Sequence, residues 1–248
     1  YKTLPIPLEV TSAVEKPNDP NNIDYITDEN IRLVAEISNT QPYLNEGITV
    51  LYKLYFRNPI SISDVQELES PSYGDFWSHL IKIGQVRVNT RGEYKGEPFN
   101  EVVWRKVVLY PQKTGKLDIE PLSLNLSLSV PSDRRDLFGR RILTQGQKTI
   151  SAGRRVINVK SLPEKNQPTD YTGAVGSFDF DVIIDKNALK ASESFQAKIK
   201  VKGKGNLKLF NLPSINVPNT LEVYEPEHSE NVKISLSGME GIIEDTYT

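Results

Sequence analysis

The sequence predicts an all-β fold made of tandem immunoglobulin-like β-sandwich domains, and three observations favour this class. Apolar and polar residues alternate over several short segments, helical periodicity is nowhere sustained over three turns, and Pro, Gly and Asn separate the segments. The chain has 248 residues and 38% hydrophobic content, which is enough for one large or two medium cores.

The clearest strands are predicted in the first half. Residues 31–37 and 48–56 alternate strictly, so each predicts a strand with one buried face. Residues 58–80 are less periodic and leave room for one helical turn. Residues 90–98 (TRGEYKGEP) carry two glycines and predict a hairpin tip. A polar loop is expected at residues 132–146, and a last strand of the domain at residues 156–160.

The fold is organised around the stretch from Val102 to Val130. Residues 102–110 are almost entirely apolar, which is typical of a strand covered on both faces. PQKTG then predicts a tight corner, and the alternation slips by one residue at Pro121, which indicates either a bulge or a strand that changes sheets. Beyond it, the even-numbered residues from Leu122 onwards share one apolar face. We interpret the whole stretch as the closing hairpin of the domain.

Two proline-rich segments divide the chain into units. We expect residues 1–16 to be the last strand of a preceding domain, and 17–30 to be a linker. Residues 31–163 form a complete sandwich, 164–175 a second linker with the boundary near Pro163 to Thr172, and 176–248 a second sandwich. Lys2–Pro17 parallels Lys148–Pro163. The second unit has no counterpart of LYPQKTGKLDIEPL, so we expect it to be truncated at its C-terminal end.

The composition limits the functional classes. The net charge of −2 gives no support to nucleic-acid binding. Cysteine is absent, which excludes disulfides, thiol nucleophiles and thiolate zinc sites. No apolar run is long enough to span a membrane, and no signal peptide is present. The chain opens on Tyr1 rather than Met, as an excised fragment would, so both absences can belong to the fragment.

Residues that could support catalysis or metal binding are few. His79 and His228 lie in no catalytic motif, so we predict structural or surface roles, no cofactor and no enzyme activity. A glycosidase-like carboxylate pair is not excluded, but nothing singles one out. Acidic residues cluster in the first linker, where either a calcium ion or a solvated linker fits the pattern. They are Asp19, Asp24, Asp28 and Glu29.

The two tryptophans could either stack on sugars or fill cores. Trp104 shares a strand phase with Val102, Val108 and Tyr110, which favours the core. For Trp77, core and surface positions both remain open.

The strongest candidate for a binding site is the loop from Asp133 to Arg141. Four arginines surround Phe138 there, namely Arg134, Arg135, Arg140 and Arg141. Only Asp133 and Asp136 lie among them, so two positive charges are left over. One interpretation is a salt-bridged exposed loop. The other is a docking loop, with Phe138 as anchor and the arginines binding carboxylates of a partner protein.

Several segments, in this order, resemble the BatD family of bacterial aerotolerance-associated proteins. They are PYLNEGITVLYKLY, the pair Phe76–Trp77, WRKVVLYPQKTGKLDIEPL, DLFGRR, TGAVGSFDF, GNLKL and LEVYEP. The resemblance implies immunoglobulin-like domains between a signal peptide and a transmembrane anchor, and no catalytic residues. The family is encoded beside von Willebrand factor A-type proteins, a tetratricopeptide protein and a MoxR-type ATPase.

We therefore expect a non-enzymatic periplasmic scaffold module that binds partner proteins through loops and sheet edges. The resemblance implies von Willebrand factor A-type and tetratricopeptide proteins as partners, no nucleic acid, and attachment to the membrane only through an anchor that this chain lacks. The alternative is a carbohydrate-binding or adhesive surface protein, with a hydrolase as a distant third.

Overall fold

The computed structural model describes residues 23–165 and 167–248, without the side chains of residues 23–25 and 133. The strand expected in residues 1–16, and the linker as far as residue 22, lie outside the described residues. What is described is almost entirely β-structure, so the all-β class is confirmed.

The first unit, described over residues 23–163, is built from antiparallel strands in two layers. Its elements are α1 (Ile23–Asn30), β1 (Ile31–Ile37), β2 (Ile48–Phe56), β3 (Ser61–Glu69), β4 (Phe76–Leu80), β5 (Val88–Tyr94), β6 (Glu97–Pro111), β7 (Gly115–Ile119), β8 (Ser123–Arg135), β9 (Arg141–Ser151) and β10 (Arg155–Val159). One sheet has the order β1-β2-β6-β4, with β5 also paired to β6. The other layer contains β3-β8-β9 and the pair β10-β7.

One apolar core is shared by these two layers, and it follows the sequence alternation closely. The even-numbered residues from Leu122 to Val130 are almost completely buried, as are alternate residues of β1 and β2. The central members are Ile48, Val50, Tyr52, Leu54, Ile119, Leu122, Leu124, Leu126, Leu128 and Ile157. The predicted buried faces at residues 31–37, 48–56 and 122–130 are therefore confirmed.

The central stretch is covered on both faces, but it is not a hairpin. Val107 and Leu109 of β6 belong to the core, whereas Val108 and Tyr110 point to the opposite side and are also buried. After the corner, β7 pairs with β10, and β8 pairs with β3 and β9. The chain therefore crosses to the other layer at the corner between β6 and β7, and the phase slip at Pro121 marks its passage from the β10-β7 pair to the β3-β8-β9 sheet. The predicted closing hairpin is wrong because β6 and β8 lie in different sheets.

Three segments differ from the sequence expectations. Residues 58–80 contain β3 and β4 rather than a helical turn, and the weak periodicity of β3 reflects its exposure at a sheet edge. The linker expected at 17–30 is helical from Ile23, and Ile26 packs against the core. The polar loop expected at 132–146 is instead the end of the β8–β9 hairpin.

The second unit is one antiparallel sheet in the order β11-β12-β14-β13. Its strands are β11 (Gly176–Ile184), β12 (Ala197–Gly205), β13 (Glu227–Ser235) and β14 (Gly238–Tyr247). Leu207 and Leu212, from the irregular segment between β12 and β13, pack on its apolar face. Within residues 167–248 no second sheet faces this one. A complete second sandwich, and the immunoglobulin-like character of both units, therefore remain predictions.

A small third cluster joins the two units. Val108 and Tyr110 of β6 pack against Met239 of β14, and all three residues are almost completely buried. The Tyr110 hydroxyl accepts a hydrogen bond from the Met239 backbone N–H at 2.7 Å and donates one to the Gly205 carbonyl at 3.2 Å. Trp77 packs edge-on against Tyr110, so it is half-buried at this junction.

Candidate functional site

The candidate site is the outer end of the β8–β9 hairpin. Strand β3 pairs with β8 only as far as Ser129, whereas β9 follows β8 to the Arg135–Arg141 pair. Beyond Ser129 the hairpin is therefore a two-stranded ribbon, with which no third strand of residues 23–165 or 167–248 pairs. The register shifts after Pro131, which lacks the N–H that a regular ladder needs. We call this ribbon the arm, and its residues 134–145 are exposed.

The tip of this arm, residues 136–140, is held by its own hydrogen bonds. Asp136 Oδ1 accepts hydrogen bonds from the backbone N–H groups of Phe138 (2.9 Å) and Arg140 (2.8 Å). The Asp136 N–H donates to the Arg140 carbonyl at 2.8 Å. Gly139 has a φ of +78°, which glycine adopts without strain. The tip is thus ordered by Asp136 and Gly139 rather than by contacts with the body.

Large apolar side chains at this tip are open to solvent. Leu137 has a relative exposure of 101% and Phe138 of 87%, and Leu143 on β9 is also mostly exposed. Neighbouring exposed apolar side chains with a polar rim are typical of interaction surfaces. The sequence identified Phe138 as a possible anchor. It did not single out Leu137, whose exposure follows from its place at the turn.

The four predicted arginines surround this apolar tip, and all are exposed. Arg135 donates to the Gly139 carbonyl at 2.7 Å and so also supports the turn. Among the described side chains, no carboxylate forms an ion pair with any of the four guanidinium groups. Asp136 is engaged by backbone N–H groups instead. The tip therefore presents exposed cationic groups around its apolar side chains.

The sequence predicted a core position for Trp104, but its side chain is only partly buried, because a β-bulge changes its phase. Arg105 pairs with Tyr52 and Val103 pairs with Lys53, so Trp104 is the extra residue between them. Its ring is half-buried at the margin of the core, and its Nε1–H donates to Glu67 Oε2 at 3.1 Å. The bulge also explains why Val102 faces the core while Val108 and Tyr110 face the junction.

The two histidines are set in strands rather than in a catalytic constellation. His79 lies on β4 and stacks on Trp77, with 6.1 Å between ring centres. His228 lies on β13, and its Nδ1 is 2.6 Å from Asp245 Oδ1. No hydrogen bond described for either ring reaches a hydroxyl nucleophile.

The acidic cluster proposed for the first linker is only partly described. Asp19 lies outside the described residues, as does the side chain of Asp24. Asp28 forms an ion pair with Lys148 at 2.7 Å. Within the described residues, no group of three or more potential ligands is close enough to hold a metal ion.

The surface aromatics bear on the alternative of sugar binding. Exposed rings belong to Tyr43, Phe138, Phe180 and Tyr224, which lie on separate segments. No two of these four exposed rings contact each other in the part of the chain that the structure describes. A row of stacking rings is therefore not formed by the described residues.

Two features were missed by the sequence analysis. The sequence identified Tyr110 only as a residue of an apolar strand. Its role at the junction was missed, because its hydrogen-bond partners Gly205 and Met239 are distant in sequence. Strand β11 was recognised as a strand, but its position at the edge of the sheet depends on the pairing of the other strands. Neither feature has a local sequence signal.

No helix within the described residues is long and apolar enough to cross a membrane. No protein-family model matches the chain, and comparisons with curated proteins and with solved structures find no match.

Proposed function

We propose that this chain is a non-enzymatic scaffold module that binds a partner protein through the tip of the β8–β9 hairpin. The observation that carries the proposal is the ordered, exposed tip, on which Leu137 and Phe138 are surrounded by arginines that form no ion pair with any carboxylate whose side chain the structure describes. The BatD-like segments support a periplasmic, membrane-anchored setting. They also support von Willebrand factor A-type or tetratricopeptide proteins as partners.

The chemistry of the tip favours an acidic protein surface with an apolar pocket. Arginine and aromatic residues are the side chains that most often dominate the affinity of an interface, and arginine binds carboxylates with two parallel hydrogen bonds. The tip is already ordered, so little conformational entropy is lost when it binds. Partner carboxylates would neutralise the arginines, while Phe138 and Leu137 would be removed from water.

The test is a binding measurement with purified von Willebrand factor A-type and tetratricopeptide proteins of the same system. Replacing Arg134, Arg135, Arg140 and Arg141 by serine should weaken binding by about tenfold or more, mainly by slowing association. Affinity for the unmodified chain should also fall as salt is raised, because these charges are exposed. Phe138→Ser should mainly accelerate dissociation.

A matched control removes the same number of charges elsewhere. Four exposed lysines without described ion pairs are suitable for replacement by serine, namely Lys82, Lys116, Lys165 and Lys190. Tyr224→Ser is the control for loss of an exposed ring. The proposal is wrong if the quadruple arginine variant folds normally and binds these partners as tightly as the lysine control does.

A further inference from the structure

The second sheet has two very different edges. At one edge, β13 begins with Glu227, His228, Ser229 and Glu230, and such polar residues discourage pairing with other chains. At the other edge, β11 carries Phe180, Val182, Ile183 and Ile184, each more than half exposed. The second half of β11 is a continuous apolar run, residues 182–184, and an exposed apolar edge of this kind is a template for one more strand.

The backbone of β11 has hydrogen-bonding groups directed away from the sheet. The Asp185 N–H donates to the Gln196 carbonyl at 3.1 Å, so Asp185 faces β12. Direction alternates along an antiparallel strand, and the β11–β12 register runs without a shift. The N–H and C=O groups of Phe180, Val182 and Ile184 therefore point outward, where no described strand pairs with them.

The same three residues lie on the apolar face of the sheet. In the β11–β12 register, Phe180 is opposite Val201, Val182 opposite Ile199 and Ile184 opposite Ala197. The β12 members of these pairs are buried in the second core, whereas the β11 members are not. An added strand with apolar residues on this face would extend the core by one row.

The opposite face shows alternating charge from strand to strand. Glu244 of β14 forms ion pairs with Lys200 (3.2 Å) and Lys198 (3.7 Å) of β12. On this face β11 carries acidic residues, as β14 does, because Asp179 lies opposite Lys202 and Asp181 lies opposite Lys200. Within the described residues, neither aspartate forms an ion pair. A strand with basic residues at the facing positions would continue this alternation.

From this edge we infer a second binding site, which takes an extended segment of another protein in which Lys or Arg alternates with apolar residues. Such a segment pairs its backbone with Phe180, Val182 and Ile184, buries its apolar face beside them and sets its cationic face against Asp179 and Asp181. A second copy of β11 fits poorly, because antiparallel self-pairing brings aspartates against aspartates. Residues 4–10 of this chain also fit poorly, since Pro5, Pro7 and Glu9 stand at the alternate positions.

The probe is a terminally blocked peptide of alternating lysine and valine, long enough to span β11. It should bind the intact chain, and the amides of Phe180, Val182 and Ile184 should become protected from hydrogen exchange. An otherwise identical peptide with glutamate for lysine should bind about tenfold more weakly. A lysine–valine peptide N-methylated on the amides that face β11 should not bind. It keeps its positive charges, but it can no longer donate backbone hydrogen bonds to β11.

Substitutions in the chain test whether the peptide binds at β11. Asp179→Lys combined with Asp181→Lys should reverse the preference between the two peptides, and Val182→Pro should abolish binding by removing an outward N–H. This inference extends the proposed binding function to another surface, and it does not depend on the hairpin. The quadruple arginine variant of the tip should therefore bind the lysine–valine peptide as the unmodified chain does.

Three results would overturn the inference. The first is equal binding of the lysine and glutamate peptides, and the second is protection of amides outside β11. The third is a dimer of the chain that pairs through β11 and is not displaced by the lysine–valine peptide, which would identify a second copy as the occupant.

Discussion

At the scale of single residues, Trp104 shows how one extra residue in a strand changes an energetic expectation. A fully buried indole would cost about 3–5 kcal/mol when replaced by alanine. Because the bulge leaves Trp104 half-buried, we expect Trp104→Ala to lower the free energy of unfolding by about 1–3 kcal/mol. Urea denaturation of the two proteins measures this difference.

A conservative variant separates packing from hydrogen bonding at this position. Trp104→Phe keeps a ring against the core but loses the Nε1–H donor to Glu67, so it should cost about 1 kcal/mol. A loss above about 4 kcal/mol for the alanine variant would instead mean that the ring is a full member of the core.

Several tyrosines are sensitive to high pH. Burial raises the pKa values of Tyr52, Tyr55, Tyr73, Tyr110 and Tyr171, and a hydrogen bond with Tyr73 adds to the effect at Tyr52. Their pKa values in the folded chain lie above the ordinary value of about 10. Their contribution to stability is therefore complete below about pH 10 and is lost as the pH rises through the folded values.

Absorbance of the phenolate form and denaturation at several pH values test this prediction. We expect a class of tyrosines that titrates late and a free energy of unfolding that falls above about pH 10. Tyr52→Phe should reduce the fall, because it removes one of the buried phenols. A free energy of unfolding that stays constant through this range would contradict the assignment.

At the scale of elements, the sequence predicted those strands whose one face lies in a core. The alternation at Ile48–Phe56 and at Leu122–Val130 records burial on one side, and both faces are found where expected. The end of the ribbon, residues 134–145, is exposed on both faces, so it has no such alternation and resembles a polar loop in sequence. Pairing partners such as β6 with β4, or β11 with β12, depend on distant segments and leave no local pattern.

The candidate site was predictable in composition but not in shape. Arginines around Phe138 were visible in the sequence, whereas the turn depends on Asp136 accepting two backbone hydrogen bonds and on the positive φ of Gly139. That geometry decides whether the apolar side chains are ordered and exposed, and composition alone is compatible with a disordered loop.

The order of the tip can be tested with one substitution. Asp136→Ala removes the acceptor for the N–H groups of Phe138 and Arg140, so their hydrogen exchange should accelerate. Global stability should change by no more than about 0.5 kcal/mol, because the residues of the tip are exposed. Partner binding should weaken, since the tip must then be ordered on association. Asp136→Asn is the control, because its side-chain carbonyl still accepts hydrogen bonds. Equal exchange rates in the unmodified chain and in both variants would disprove the role of Asp136.

At the scale of the whole molecule, each unit carries one of the two proposed binding surfaces, and the junction around Tyr110 connects the units. The first core and the second core share no residue, but Val232 packs against both the second core and the junction cluster. The outer face of β6 thus covers one end of the second sheet. The two units are held by this small buried contact as well as by the chain between them.

The hydroxyl of Tyr110 should account for much of this connection. Tyr110→Phe keeps the ring but leaves the buried N–H of Met239 and the Gly205 carbonyl without this partner, which should cost about 1–3 kcal/mol. We expect faster hydrogen exchange at the Met239 amide, faster proteolysis in residues 164–175, and unfolding of the second unit at lower urea concentration. Tyr171→Phe is the matched control, because that hydroxyl donates only to the nearby Ala174 carbonyl. If the two variants behave alike and the Met239 amide stays protected in both, the units are joined by apolar packing, and the hydrogen bonds of Tyr110 contribute little.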